Sequence, residues 1–435
     1  MGGLTGDGSA LSILAPWSQP NANDWHLWPG LDRLARQFPT IAGSMFRQTI
    51  FWLHLICGVG TGLVVLMMSV TGVLLTYERQ IVAAAEWEPY AAPTAAAEPL
   101  PLPLEELLAA AKLAKPDFTP TTIMLRNEVS SPVTLGAGRN GTLLANPYTG
   151  AVTEPGATRL RAFFAAVTGW HRWFNASGDH RSTARAVTGA SNLAFLFLVL
   201  SGIYLWLPRM WKWAAFKTHL LFNAKATTSK ARDFNWHHVF GIWSALPLAV
   251  IVATAVVFSY PWANDLVYRS VGEEPPVRGG PPGGAPPGGR AGAPSAAADE
   301  PANGSAPSRL PYTVLVARAA AHGEWQTLTL NLPADPAAAT LRIAIDQGNG
   351  GQPQLRHTLT LDAFTGEVTT WAPFSSQSVG QQARNWIRFL HTGEALGIVG
   401  QTLAGLVSLT SVLMVWTGLA LAWRRLIVPL YRRKA

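Results

Sequence analysis

Four stretches of the chain run apolar for long enough to cross a hydrocarbon layer of about 30 Å: Ile50–Tyr77, Val187–Leu207, Val239–Tyr260 and Leu396–Trp423. Between them the pattern changes period. "LLANPYTGAVT" at 143–153 and "LTLDAFTGEVT" at 359–369 align without gaps. Each predicts a strand, a polar turn closed by Gly150 or Gly366, and a returning strand. Upstream of each lies a helical stretch, "LEELLAAAKLA" at 104–114 and "YTVLVARAAAHG" at 312–323. The expected fold is therefore a mainly α membrane protein, with four transmembrane helices and two small α+β modules that repeat one another.

Charge orients this plan. Arg33, Arg36 and Arg47 precede the first span, and Arg209, Lys212, Lys217, Lys225, Lys230 and Arg232 fill the loop between the second and third. Arg424, Arg425 and the "RRK" at 432–434 follow the fourth. By the positive-inside rule these segments face the cytoplasm, so both modules lie outside, in a periplasm. The expected organisation is a cytoplasmic segment 1–46 and a first span within 47–80, followed by module one at 81–170. A helix end with the second span occupies 171–208, a basic loop 209–235 and the third span 236–261. Module two takes 262–382, the fourth span 383–424 and a basic tail 425–435. Within module two, residues 271–309 are so rich in Pro, Gly and Ala that they read as a disordered insertion.

Composition agrees. Eighteen Trp and only 13% charged residues do not suit an ordinary soluble domain of 435 residues. The net charge of +8 sits beside apolar runs, which points to lipid and not to nucleic acid. Cys57 is the single cysteine, so a disulfide within the chain and a CxxCH haem attachment are both excluded. The first 40 residues lack the short apolar core of a cleavable signal.

The candidate chemistry lies in the histidines. His54, His237 and His238 stand at the cytoplasmic ends of spans one and three. His171, His180 and His391 stand at the outer ends of spans two and four, with His391 opening the fourth. Two bis-histidine haems, one per leaflet, would need this distribution. A flat macrocycle also needs small residues beside its ligand, and His54, Gly58 and Gly62 share one helical face, as do His237, Gly241, Ala245 and Ala249. That stripe favours His237 over His238, whose own face carries Ile242 and Leu246. On the outer side either His171 or His180 could reach His391. Zinc is the weaker reading, because HxxxH, HExxH and nearby acidic ligands are missing. His26, His219, His322 and His357 read as ordinary loop or module residues.

These marks together resemble the PepSY-associated transmembrane family of iron-regulated inner-membrane proteins, which includes ferric-siderophore reductases. The resemblance rests on "LHLICGVGTG", "SVTGVLL" at 69–75, "HRWF" at 171–174, "LSGIYLW" at 200–206, "HHVFG" at 237–241, "LHTGEALG", "TGLALAW" at 417–423 and the paired "YTG" and "FTG" hairpins. It implies a protein of the bacterial inner membrane that holds two non-covalent b-type haems and passes electrons to ferric siderophores. It also favours His171 over His180. The axial ligands it implies are His54 with His237 and His171 with His391, with Gly58 and Gly241 at the family's spacing from their histidines; the helical stripe adds Gly62 as a further glycine packed on the macrocycle. No nucleotide fingerprint is present, so a separate electron donor, a reductase or quinol, is expected. The rival expectations are a regulatory membrane anchor without redox activity, and a metal permease.

Overall fold

The computed structural model describes residues 29–87, 100–129, 131–208, 213–276, 308–335 and 337–432. Most of the Pro/Gly insertion, the loop cations Arg209 and Lys212, His26 and the last residues of the tail lie outside these. Two compact units are present, Met1–Leu53 and His54–Ala435. The first carries the start of a helix in which the Thr49 hydroxyl bonds the Met45 carbonyl. The second carries everything that follows.

The elements fall into two matching series. The first is α1 (Pro29–Leu75), α2 (Glu78–Trp87), α3 (Leu104–Ala114), β1 (Thr122–Arg126), β2 (Val133–Gly136), β3 (Thr142–Ala145), β4 (Val152–Thr153), α4 (Thr158–Trp173), α5 (His180–Trp206) and α6 (Trp213–Leu220). The second repeats it as α7 (Ser229–Ser259), α8 (Pro261–Arg269), α9 (Tyr312–Ala320), β5 (Thr327–Asn331), β6 (Thr340–Asp346), β7 (Arg356–Asp362), β8 (Val368–Ala372), α10 (Val379–Thr392), α11 (Gly397–Leu426) and α12 (Val428–Arg432). The duplication seen in the two hairpins thus extends over the whole run of helices and strands.

Four helical stretches, Met45–Glu86, His180–Trp206, Ser229–Ser259 and Glu394–Tyr431, are long and apolar enough to cross a membrane. Helix α7 packs on α5, α10 and α11. Inside the bundle Ser69, Thr71, Thr188, Ser201, Ser244, Thr254, Ser411 and Thr417 are buried. In an apolar setting an unpaired hydroxyl costs several kcal/mol, and bonds such as Ser244 to the Phe240 carbonyl at 2.6 Å remove that cost.

The two modules share one sheet. Its strand order is β4-β3-β2-β1-β5-β6-β7-β8, and β1 meets β5 antiparallel from Thr122↔Asn331 to Arg126↔Thr327. Separate modules would each expose an edge strand, and pairing β1 with β5 covers both edges. One face is covered by α3 and α9, giving a single core of Ile123, Leu135, Leu328, Leu330, Leu341, Ile343, Leu359 and Leu361 with Leu107 and Leu315.

The aligned hairpins are equivalent atom for atom. Asn146 Oδ1 accepts from the amides of Tyr148 and Thr149, and Asp362 Oδ1 accepts from those of Phe364 and Thr365. The Thr365 and Phe364 amides hold the Asp362 carboxyl below its ordinary range. Gly150 and Gly366 follow at φ +70° and +71°, where a side chain costs roughly 1–2 kcal/mol. At Gly366 an added Cβ would also stand 3.0 Å from Arg318 Nε and Leu310 Cδ1, against 3.3 Å from Leu102 at Gly150. Gly366→Ala should therefore lower the thermal unfolding midpoint more than Gly150→Ala; equal shifts would mean that backbone strain alone sets the cost.

Candidate functional site

The six singled-out histidines take three kinds of place. His54 and His237 lie within spanning helices. Helix α7 begins at Ser229, capped by the Thr228 hydroxyl on the Ala231 amide at 3.2 Å, so His237 stands two turns inside it and does not open it. His171 and His391 lie in the last turns of α4 and α10. The expectation that His391 opens the fourth span is thereby corrected. Helix α10 stops at Thr392, with Gly393 left-handed at φ +76°, and α11 starts at Gly397. Phe174 ends α4 in the same way at φ 53°, which separates His171 from the second span.

Each of these four imidazoles is held through Nδ1 by a hydroxyl on another helix. His54 meets Ser201 at 2.8 Å, His171 meets Thr71 at 2.8 Å, His237 meets Thr417 at 3.0 Å and His391 meets Thr254 at 3.2 Å. A hydroxyl has one hydrogen, and each of these gives it to its own helix. Ser201 bonds the Phe197 carbonyl, Thr71 that of Met67, Thr417 that of Leu413 and Thr254 that of Val250. The oxygen is then an acceptor, so Nδ1 must be the donor. His391 shows it independently, because its Nδ1 also lies 2.9 Å from the Ile251 carbonyl, which can only accept. All four rings are thus Nδ1–H tautomers with a lone pair on Nε2, the form that ligates a metal. Among the described residues no group hydrogen-bonds any of these Nε2 atoms.

Beside three of the hydroxyls the next residue is glycine, and the ring lies against it. A Cβ added at Gly202 would stand 3.5 Å from His54 Cε1, at Gly72 3.7 Å from His171 Cε1, and at Gly418 3.2 Å from His237 Cε1. The hydroxyl orients the imidazole and the glycine admits it against the backbone. The three dipeptides are Ser201-Gly202, Thr71-Gly72 and Thr417-Gly418; in the fourth, Ala255 follows Thr254.

The circuit is the same in both halves of the chain. In each, the His on the first spanning helix is held by the second, and the His before the second is held by the first. His54 to Thr71 on α1, and His237 to Thr254 on α7, are both seventeen residues, a rise of about 25 Å along a helix. Two sites at opposite ends of the bundle result, each drawing one His from each half.

At one end the rings of His171 and His391 have centroids 6.4 Å apart. Two imidazoles facing each other across one metal, with bonds of about 2.0–2.1 Å, have ring centroids roughly 6–6.5 Å apart. At the other end His54 and His237 lie within electrostatic reach of one another. There Asp233, one turn before His237, bonds Arg424 of α11 at 2.6 Å and Arg232 at 3.0 Å, which ties α7 to α11 beside the Thr417 clamp. Among the described residues no three His, Cys, Asp or Glu side chains converge. Two imidazoles alone leave zinc short of its four ligands, whereas a porphyrin brings four nitrogens of its own.

The remaining candidates stand apart. His238 bonds the Phe234 carbonyl of its own helix and packs on His219 at 4.8 Å. His180 is exposed at the first position of α5. Added Cβ atoms at Gly58, Gly62 and Gly241 would meet Leu198, Leu419 and Met414, so these glycines lie against neighbouring helices. Sequence reasoning missed Ser201, Thr71, Thr417 and Thr254. The signal was present in the repeated hydroxyl-glycine dipeptides and in the equal His-to-Thr intervals.

A model of the PepSY-associated TM region matches residues 51–425. No curated protein matches the chain. The matched segment takes in all four spanning helices past their centres, both modules and the four clamped histidines, so the expected family is confirmed. The chain is a multi-pass membrane protein and belongs to the family of the PepSY-associated TM region.

Proposed function

We propose that the protein is an oxidoreductase of the bacterial inner membrane, which carries electrons through two b-type haems to ferric iron held by a siderophore in the periplasm. One haem would be held by His54 and His237, the other by His171 and His391. The basic segments support a topology with both termini in the cytoplasm, and a separate reductase or the quinol pool would supply the electrons.

One observation carries this reading: four histidines from two repeated halves, each with Nδ1 spent on a hydroxyl and Nε2 unspent, gather two at each end of the bundle. The ring spacing of 6.4 Å at one end and the glycines beside three of the rings agree with a metal carried in a flat group. Bound haem supplies one-electron transfer between its ferric and ferrous forms. The chain's own residues fix the imidazoles, exclude water by apolar packing and set the two sites about 25 Å apart along α1 and α7. Reduction frees the iron, because hard oxygen donors hold the ferric ion far more strongly than the ferrous.

The optical spectrum of the purified protein tests it. A Soret band that shifts with dithionite and returns on adding a ferric siderophore is the expected result. A colourless chain, expressed with ample haem supply, would end the proposal.

A further inference from the structure

The sheet-side end of the bundle gathers positive charge that no carboxylate among the described residues pairs with. Arg172 follows His171 on α4, Arg181 and Arg185 lie in the first two turns of α5, and Arg388 lies one turn before His391 on α10. Arg172 is within coulombic reach of the other three. Arg172 and Arg181 both lie over the ring of Trp173, 4.8 and 4.0 Å from its centroid. All four arginines are exposed. Among the described residues none of them pairs with a carboxylate; Glu86 is taken by Arg161, and Glu394 by Arg79. Asp179 precedes α5 without capping it.

Two effects oppose this arrangement. Like charges at short range repel. The start of a 27-residue helix already carries partial positive charge, so arginines there work against its dipole, and no acidic residue stands in its first turn. Arginines that only anchor a bundle to lipid headgroups can spread around its circumference. These four come from three helices and collect beside one pair of histidines.

We propose that Arg172, Arg181, Arg185 and Arg388 form a binding site for a multiply charged carboxylate ligand next to His171 and His391. A guanidinium takes a carboxylate through two parallel N–H···O bonds, and several together suit a di- or tricarboxylate. The carboxylates have two possible sources. One is the pair of acid arms on a haem held by His171 and His391, an arm of the proposal that rests on the function given above. The other is a free polycarboxylate, including one that chelates ferric iron.

The purified full-length chain decides between them, with citrate as the probe. Isothermal titration at low salt and haem content by pyridine haemochrome are measured on native, R181Q/R185Q and R181K/R185K proteins. Citrate binding to the native chain that weakens by about tenfold or more in the Gln variant, at unchanged haem content, supports the free source. Loss of one haem per chain in the Gln variant, kept in the Lys variant, supports the haem arms. Citrate binding and haem content unaltered in both variants overturn the site and return the arginines to lipid anchoring. Equal loss in both variants together with a lowered thermal unfolding midpoint overturns it, whereas equal loss at an unchanged midpoint supports bidentate guanidinium contacts that lysine cannot make. A native chain found without haem ends the proposed function but not this site, which then stands or falls on the citrate titration alone.

Discussion

On the proposed function, purified native protein should hold two haems per chain and His391→Ala protein one, and His54→Ala should remove the other. The double variant should hold none. Each substitution takes away one of the two imidazoles at one end of the bundle, and a haem without covalent attachment depends on them. At the sheet-side end the partner left behind is His171, whose centroid lies 6.4 Å from that of His391. His238→Ala and His180→Ala should leave the content unchanged, because the first ring is bonded to the Phe234 carbonyl and the second is exposed at the start of α5. Pyridine haemochrome assay on the native protein and all five variants gives the count. Two haems retained in both the His391→Ala and the His54→Ala proteins would remove the ligand assignment.

The second large effect belongs to residues that touch no ligand. Thr417→Val keeps the shape of the side chain but removes the acceptor for His237 Nδ1, leaving a donor without its 3.0 Å partner in an apolar bundle. Losing an outer partner of a metal-bound imidazole typically weakens affinity about 10–100-fold. The haem at that end should dissociate correspondingly faster to an apo-myoglobin acceptor. Ser201→Ala should act on the same site through His54, and Thr71→Val on the other through His171. Thr61→Val is the control, since among the described residues its hydroxyl bonds only the Cys57 carbonyl of its own helix. Haem transfer at the native rate in the Thr417 and Ser201 variants would show that the clamps are packing alone. Gly418→Val should be worse than Thr417→Val, because its Cβ already comes 3.2 Å from His237 Cε1 before the two methyl groups are added.

Much of the site was readable because its residue types are rare where they stand. An imidazole in a long apolar run is conspicuous: His54 and His237 emerged from depth and helical stripe, His391 from depth, and His171 was preferred to His180 by the family resemblance. The choice of His237 over His238 followed from the small face of α7, and the structure turns His238 towards His219 instead. The clamps were not found, because Ser and Thr in a spanning helix ordinarily bond their own backbone, and all four of these do so as well. Their second role needs a partner from another helix, which no local pattern announces. The helix carrying His391 was misplaced for a related reason. "FLHTGEALG" reads as one apolar approach to the fourth span, whereas Gly393 turns the chain left-handed where α10 meets α11.

The sequence by itself determined the four spans, the paired hairpins with their glycine-closed turns, and the histidines in or beside the spans. These follow from composition and period, which act over a few turns of chain. Only the tertiary structure decided that β1 and β5 join two modules into one sheet, that each histidine is locked into the Nδ1–H tautomer, and that arginines from three helices crowd beside one pair. Those depend on which surfaces meet across a hundred or more residues, where the need to pair every buried polar group selects among contacts that the local pattern leaves equal.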